Sequence, residues 1–442
     1  MSFTNEKNNL FFVSKFGGTI MANAKNINGA IKIILGDNRR RFVVVSAPGK
    51  RFENDEKITD LFYECVKEVK LYGSTQNAFL KIKNRFSALV RRLKVDFCLE
   101  DEFEKIKINI EKETNLNYSA SRGEYLMAKI LAKKLNFEFI DAIDIIKFKE
   151  NNELDYEKTF SLINEKLNKS CSRVVIPGFY GQKPDGQIQT FTRGGSDFTA
   201  SLIAEATNAS LYENWKDVNG FLACDPNVVK NPTQIYELSY KELRTLSYMG
   251  AYVLHPDSAI PISKTSVPII IKNAFKPKTK GTLISSHSQG KKHIITGIAG
   301  KKNYSLVTIE KIMTNIEVDF LFDVLKILKE LNISSARIVS SVDEISLIIC
   351  ENQFVLNEKK LIEQIEALGE NAIKIETGKA VICVVSKNIS KILERLFKTL
   401  NHFKICVKTV EIENNSSVIF CIDNEDYQKT IQVIYNEFYK KI

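Results

Sequence analysis

Four times within its first two hundred residues the chain places glycine where a strand-like run ends. The stretches are "VSKFGGT" (13–19), "SAPGK" (46–50), "GFYG" (178–181) and "TRGGSD" (192–197). The runs before them, such as "RFVVV" and "RVVI", are continuous and β-branched rather than alternating. Runs of that kind suit strands buried on both faces, which is the condition of a parallel sheet covered by helices. The segments between them read as helices. Residues 58–114 are helical apart from a break at Gly73. "SASRGEYLMAKILAKKL" (119–135) reads as a capped helix with Leu126, Ile130 and Leu131 on one stripe, and "DFTASLIAEA" opens a helix directly after "TRGGSD". Strands alternating with helices predict an open α/β sheet, and in such a sheet the strand-end turns converge on one crevice.

The pattern changes near residue 290. Beyond "HSQGKKH" a unit of strand, helix, two strands and helix occurs twice. The first has "YSLVTIE", a helix over 318–331, "SSARIV", "EISLIIC" and a helix over 357–368. The second has "KAVICVV", a helix over 388–400, "KICVKTVEI", "SSVIFCI" and a helix over 425–440. The expected organisation is an α/β/α sandwich over 1–288 followed by two small βαββαβ modules, 289–374 and 375–442. The run "HIITGIAG" (293–300) could exchange into the second module.

Composition narrows the classes of function. No apolar run approaches the ~20 residues of a spanning helix, so no membrane partner is expected. The N-terminus lacks the basic start and apolar run of a secretory signal. The eight cysteines are widely spaced, several inside apolar runs, and the four histidines do not cluster. That pattern suits buried thiols in the reducing cytoplasm, with neither a disulfide framework nor a metal site. The net charge is +10, but the lysines are interleaved with glutamates, and no basic stripe carries stacking aromatics. Affinity for small anions is expected, and a nucleic-acid partner is not.

The glycine turns specify which anions. Lys15 precedes Gly17, Gly18 and Thr19. Arg193 precedes Gly194, Gly195, Ser196 and Asp197, and that turn opens a helix whose N-terminus favours negative charge. Two such turns suit two anionic groups, or a polyphosphate and a second anion. Neither a Walker-type P-loop nor a strand-linked G-x-G-x-x-G is present. Glu124, in "SRGE", and Asp217, in "WKDVNGFLACDP", add carboxylates. Taken singly, each is equally a helix first-turn residue or an ordinary turn.

Taken in order, "KFGGT", "VVVSAPGK", "ITDLF", "SRGE", "PGFYGQKPDGQIQTFTRGGSDFTA", "DVNGFLACDP", "GAYVLHPDSAIP", "VPIIIKN" and "GTLIS" resemble the aspartokinases of the amino-acid kinase superfamily. The resemblance covers roughly residues 10–285. The repeated C-terminal modules are similar to the paired ACT domains that follow the kinase domain there. The resemblance implies transfer of the γ-phosphate of ATP, carried as its Mg2+ complex, to the β-carboxylate of L-aspartate. By the same match Lys15 bridges phosphate oxygens and Asp197 orients it. Arg193 forks onto a substrate carboxylate, Glu124 holds the α-ammonium group, and Ser46, Thr59 and Ser196 surround the substrate. Gly17, Gly18, Thr19, Gly194, Gly195, Lys216, Asp217, Leu222, Asn227, Lys272 and Asn273 fall on the nucleotide side. Four positions depart from the family's usual residues: Ile20 for Ser, Lys216 for Thr, Leu222 for Tyr and Asn227 for Arg. The last three touch the nucleotide half.

The ACT resemblance implies feedback by an end-product amino acid. "NISSARIVSSVDEIS" is similar to the lysine-responsive segment, with Ser340 and Ser341 near its hydroxyl positions, and the modules are expected to form a homodimer. The chain stops after the second module, so an attached homoserine dehydrogenase is not expected. The rival reading is a degenerate kinase that only senses an amino acid, supported by the nucleotide-side departures and opposed by Lys15, Glu124, Arg193 and Asp197.

Overall fold

The computed structural model describes residues 10–168, 172–191, 194–251, 253–286, 294–311, 318–369 and 372–440. It divides into two compact units. One runs to Phe221 and takes in Tyr236–Arg244 and 253–286. The other holds Leu222–Ile235, 245–251 and the described residues from 294 onward. Two short stretches inside the expected 1–288 segment therefore group with the second unit.

The first unit begins with β1 (Phe12–Phe16), α1 (Ala24–Leu35) and β2 (Arg40–Val45), followed by α2 (Ile58–Tyr72), α3 (Asn77–Leu93), α4 (Glu100–Glu113) and α5 (Leu116–Leu135). It continues through β3 (Glu138–Phe139), α6 (Tyr156–Ile163), β4 (Val174–Pro177), a hairpin of β5 (Tyr180–Gln182) and β6 (Ile188–Thr190), α7 (Gly195–Ala206) and β7 (Leu211–Lys216). It closes with β8 (Glu237–Ser239), the start of α8 (Tyr240–Tyr248, whose residues from Thr245 group with the second unit), α9 (Ile260–Ser263), β9 (Ile269–Asn273) and β10 (Thr282–Ser285). Eight strands form one sheet in the order β3-β4-β2-β1-β7-β9-β10-β8. The first six are parallel, and β10 runs antiparallel to β9.

The continuous apolar runs are central strands, as read from the sequence. All of β1 and the last four residues of β2 are buried. One face packs on Ile27 and Ile34 of α1, Phe62 of α2, Phe86 of α3, Phe103 of α4 and Leu131 of α5. Full burial of such side chains stabilises the fold by roughly 1.5–3 kcal/mol each. Helix α7 covers β1 and β7 on the sheet. Strand β1 lies between β2 and β7, so the chain builds outward on both sides of it. That is a topological switch point, where a crevice opens beyond the carboxyl ends of the strands.

The helical run expected over 58–114 is three helices with two breaks. Gly73 ends α2 at φ 77°, donating its N–H to Val69. The second break follows Lys94, left-handed at φ 52°, and a lysine carries no turn signature in sequence. Helix α5 starts at Leu116, three residues before the expected capping serine. Asn115 is the cap, its side chain accepting the Tyr118 N–H at 3.0 Å. Ser119 and Ser121 return their hydroxyls to the carbonyls of Asn115 and Tyr118 instead.

The second unit holds β11 (Ile295–Glu310), α10 (Val318–Glu330), β12 (Ser335–Ser340), β13 (Glu344–Cys350), α11 (Glu351–Glu366) and β14 (Ala372–Ser386). After these come α12 (Leu393–His402), β15 (Thr409–Glu413), β16 (Ser417–Asp423) and α13 (Tyr427–Tyr439). The repeat is present, but its strands join one six-stranded antiparallel sheet, β12-β13-β11-β14-β16-β15. The long β11 and β14 serve both repeats. Tyr304–Glu310 pairs with Glu344–Cys350, while residues 297–301 pair with 381–385. Helix α11 starts at Glu351, six residues before the sequence suggested. Exposed Val355 and Leu356 obscure a stripe that is really Phe354, Leu361 and Ile365. Helices α12 and α13, by contrast, start later than expected, after short 3-10 turns at Ile389–Lys391 and Asn424–Asp426. Among the described residues, no helix is long and apolar enough to cross a membrane.

Candidate active site

The parallel strands deliver their C-terminal residues to one end of the sheet. Lys15 of β1 is the Cα partner of Asn214 on β7. Partners in a sheet share a face, so Lys15, Asn214 and, two residues on, Lys216 project to the same side. Helix α7 lies there, with Asp197 in its first turn.

The four side chains meet. Lys15 Nζ is 2.5 Å from Asp197 Oδ1, and Lys216 Nζ is 2.9 Å from Oδ2. Asn214 Nδ2 donates to Oδ1 at 3.0 Å. Lys15 and Asp197 are each only 5% exposed. Lys15 is enclosed because β1 has neighbours on both sides and α7 packs against it. Burial pushes the Lys15 ammonium pKa down, and the Asp197 carboxylate opposes that shift only in part. For Asp197, burial acts to raise the carboxyl pKa, but the two ammonium groups hold it well below the usual range. Two cations on one carboxylate leave a net positive charge in a low-dielectric place, where an incoming anion is strongly attracted.

Glu124, on α5, is also 5% exposed. It accepts the Ala47 N–H and feels the Lys15 charge, yet burial pushes its carboxyl up to about 7. Its Oε2 has no hydrogen-bond partner among the described residues. A buried carboxylate oxygen left open is suited to a ligand cation.

The glycines permit the close approaches around this group. Gly18 accepts the Gly49 N–H at 2.8 Å, and a Cβ on Gly49 would sit 2.8 Å from the Gly18 carbonyl carbon. Gly178 backs onto Ser196, whose Cβ would be 2.6 Å from a Cβ at position 178. Gly194, at φ 81°, leads into α7 with His255 beside it. Phe179 also has a positive φ, 84°, uncommon for an aromatic residue, and packs against Gly195.

The other expected residues divide. Ser46 is half-buried at the end of β2, its N–H on the Phe16 carbonyl, and Thr59 is half-buried in the first turn of α2. Thr19 and Asp217 are exposed at the ends of β1 and β7. Asn273 Nδ2 is occupied by Asn219 Oδ1 and the Asp217 carbonyl, so it shapes the turn. Lys272 is the Cα partner of Trp215, its Nζ 5.5 Å from that ring, on the face opposite Lys216. Leu222 bridges to Gln234, and the Asn227 N–H donates to Asp225 Oδ1 at 2.8 Å; both residues belong to the second unit. Ser340 ends β12, and Ser341 follows it, exposed, in the turn to β13. Arg193 lies outside the described residues. Ile20 is fully buried in the apolar cluster with Phe16 and Met21, so its departure from the family residue is a core substitution. Sequence reasoning missed Asn214 and Tyr212, whose hydroxyl donates to the Asp197 carbonyl at 3.2 Å. Their even spacing to Lys216 on one strand was the available signal.

A switch-point crevice with glycine turns, a buried lysine and a half-buried one on a shared carboxylate defines an anion-handling α/β enzyme, and comparison with known proteins specifies which. The amino acid kinase family model matches residues 11–273. The crystal structure of Clostridium acetobutylicum aspartate kinase is similar, at 40% identity and a TM-score of 0.87, covering 97% of this chain and 100% of that one. Aspartokinase 3 of Bacillus subtilis is 28% identical over 450 residues, 97% of this chain and 98% of that protein. Lysine-sensitive aspartokinase 3 of Escherichia coli is 26% identical, over 97% and 99%. The chain belongs to the amino acid kinase family and, within it, to the aspartokinases, which are phosphotransferases.

Proposed function

We propose that the chain transfers the γ-phosphate of ATP to the β-carboxylate of L-aspartate, giving 4-phospho-L-aspartate and ADP. The observation that carries this reading is the Lys15–Asp197 pair, buried and shared with half-buried Lys216, together with the open oxygen of Glu124. Both reactants are anions, so the site must neutralise charge and hold them in line. A β-carboxylate oxygen attacks the γ-phosphorus, and the bond to the β,γ-bridging oxygen breaks. That electron pair leaves with ADP. Lys15 stabilises the equatorial oxygens, and Asp197 fixes its ammonium group. Gly17, Gly18, Gly194 and Gly195 offer backbone N–H donors. Lys216, Asp217, Thr19, Leu222, Asn227, Lys272 and Asn273 are the nucleotide-side residues, and magnesium arrives on the nucleotide. Glu124 takes the α-ammonium group of aspartate, Arg193 a carboxylate, and Ser46, Thr59 and Ser196 complete the acceptor side.

The product is the first intermediate toward the aspartate-derived amino acids. Lysine is the proposed feedback effector, acting on the ACT-like unit through Ser340 and Ser341, with a homodimer as the working species. The similarity to an enzyme named as lysine-sensitive supports that choice. The division into a kinase domain over 1–288 and regulatory modules over 289–374 and 375–442 belongs to the same proposal.

A coupled assay of ADP release, run with and without aspartate and with and without lysine, tests this. Aspartate-dependent release that lysine suppresses is expected. ADP release indifferent to aspartate overturns the assignment.

A further inference from the structure

The segment 47–58 connects β2 to α2, with Ser46 and Thr59 at its two ends. Most of it has no regular secondary structure, so side chains must hold its path. One does most of this. Arg85, on α3, is only 6% exposed although it is a cation. Its Nη1 donates to the Glu56 carbonyl at 2.6 Å, and its Nη2 donates to the Gly49 carbonyl. The Asp55 carboxylate lies 3.5 Å from Nη1. Asp55 in turn receives the Arg51 N–H at 2.9 Å and its guanidinium at 2.8 and 2.7 Å. A single buried guanidinium thus gathers three points of the connection.

On its other side the connection meets the site directly. The Gly49 N–H donates to the Gly18 carbonyl at 2.8 Å. The Ala47 N–H donates to Glu124. A Cβ at Gly49 would strike the backbone of Gly18 and Thr19, so Gly49 and Gly18 are packed without slack. A charge enclosed this deeply is costly unless its hydrogen bonds are directional and well made. A leucine or methionine would cover the same helix face without that cost. What only the planar fork supplies is simultaneous reach to two carbonyls and a carboxylate.

We propose that Arg85 is a positioning residue for the acceptor substrate, setting the separation of Ser46 and Thr59 and the placement of the Glu124-bound Ala47. It acts through the backbone of Gly49 and Glu56 and touches no substrate. The inference rests on the aspartate kinase reading, and it assigns Arg85 chiefly to the aspartate side, because Ser46, Thr59 and Glu124 belong there while the connection meets the nucleotide side only at the Gly18–Thr19 backbone.

The test uses the full chain and measures KM for aspartate and for ATP, kcat and Tm. Arg85→Ala is expected to raise the aspartate KM roughly tenfold or more while the ATP KM moves less than about twofold, as a displaced positioning group does. Added guanidinium ion, at a concentration that leaves the native enzyme unaffected, is expected to recover part of the aspartate KM. Arg85→Lys keeps the charge but reaches only one carbonyl at a time. It is expected to show the same selectivity at smaller amplitude, and it carries the test should the alanine variant fail to fold. Equal rises in both KM values, or an aspartate KM unchanged in Arg85→Lys, overturn the inference while native aspartate-dependent turnover stands. A native enzyme without aspartate-dependent turnover overturns the functional reading itself and this inference with it.

Discussion

At the scale of single residues the proposed chemistry depends on charges kept where water is scarce. Lys15 is the first test. Lys15→Met keeps the volume and removes the ammonium group, leaving Asp197 with Lys216 and Asn214. A donor aimed at developing charge is worth roughly 10²–10³ in kcat, and steady-state kinetics on the purified variant should show a loss of that size. Retention of more than a tenth of native kcat would remove Lys15 from the catalytic role. Glu124 gives a pH dependence with a definite sign. Burial first, opposed by the Ala47 N–H and by Lys15, pushes its carboxyl up to about 7 in the free enzyme. Below that pH it is protonated and cannot pair with an ammonium group. The kcat/KM for aspartate should therefore fall as the pH drops through about 7, and Glu124→Gln should lower the plateau and remove the titration. The sign for stability is opposite. From the ordinary carboxylate range up to about 7 the folded state binds more protons than the unfolded one, so this group's contribution to stability is lost as pH rises through that window. A pH series of Tm values on native protein and Glu124→Gln checks it.

At the scale of elements, the site is assembled by close backbone packing, and the glycines that allow it were the most legible part of the sequence. Gly178 shows why. It lies where β4 turns toward the β5–β6 hairpin, directly under Ser196 in the first turn of α7. A methyl group added there meets Cα and Cβ of Ser196, at 2.7 and 2.6 Å, so α7 must lift. Overpacking of this kind costs about 1–3 kcal/mol, and lifting α7 also moves Asp197 off Lys15. Gly178→Ala should lower both Tm and kcat, read by thermal unfolding and the coupled assay. Gly186, at positive φ but with open space around it, is the control: Gly186→Ala should lower Tm slightly and leave kcat alone. Other elements were less legible, for physical reasons. The Lys94 break in the helical run has no glycine or proline to announce it. Asn115 caps α5, while the serines a turn later carry the same capping signature in sequence. The nucleotide-side role of Lys272 is implied by the family resemblance alone. Strand parity, visible only once the register with Trp215 is known, puts it on the opposite face from Lys216. Arg85 carried no signal at all, since an arginine in a helix is ordinarily a surface residue.

At the scale of the whole molecule, the proposed regulation needs a route by which effector binding alters the catalytic half. Part of that route is built into the chain order. Leu222 and Asn227, which the family resemblance places on the nucleotide side, lie in the stretch Leu222–Ile235, which packs within the second unit. The Tyr435 hydroxyl accepts the Thr233 N–H at 2.9 Å, Gln432 donates to the Val228 carbonyl at 3.0 Å, and the Ile298 N–H donates to the Ala223 carbonyl at 2.7 Å. The stretch that carries Leu222 and Asn227 is thereby tied to α13 and β11, and under the proposed nucleotide-side assignment of those two residues a rearrangement of that sheet or helix bears on nucleotide binding. If lysine binds the unit and favours a state in which this stretch is displaced, the two ligands are coupled by one free energy. That coupling is reciprocal: lysine must weaken nucleotide binding by the factor by which nucleotide weakens lysine binding. Isothermal calorimetry of lysine binding, with and without ADP, and of ADP binding, with and without lysine, should return the same ratio, roughly fivefold or more. Ser341→Leu, in the exposed turn after β12, should abolish the lysine titration and leave kcat without lysine unchanged, since Ser341 and Lys15 belong to different units. Absence of lysine binding to the native protein at millimolar concentrations would assign the unit to another effector. Lysine binding with an ADP affinity that does not change would detach the Leu222–Ile235 stretch from the regulatory route.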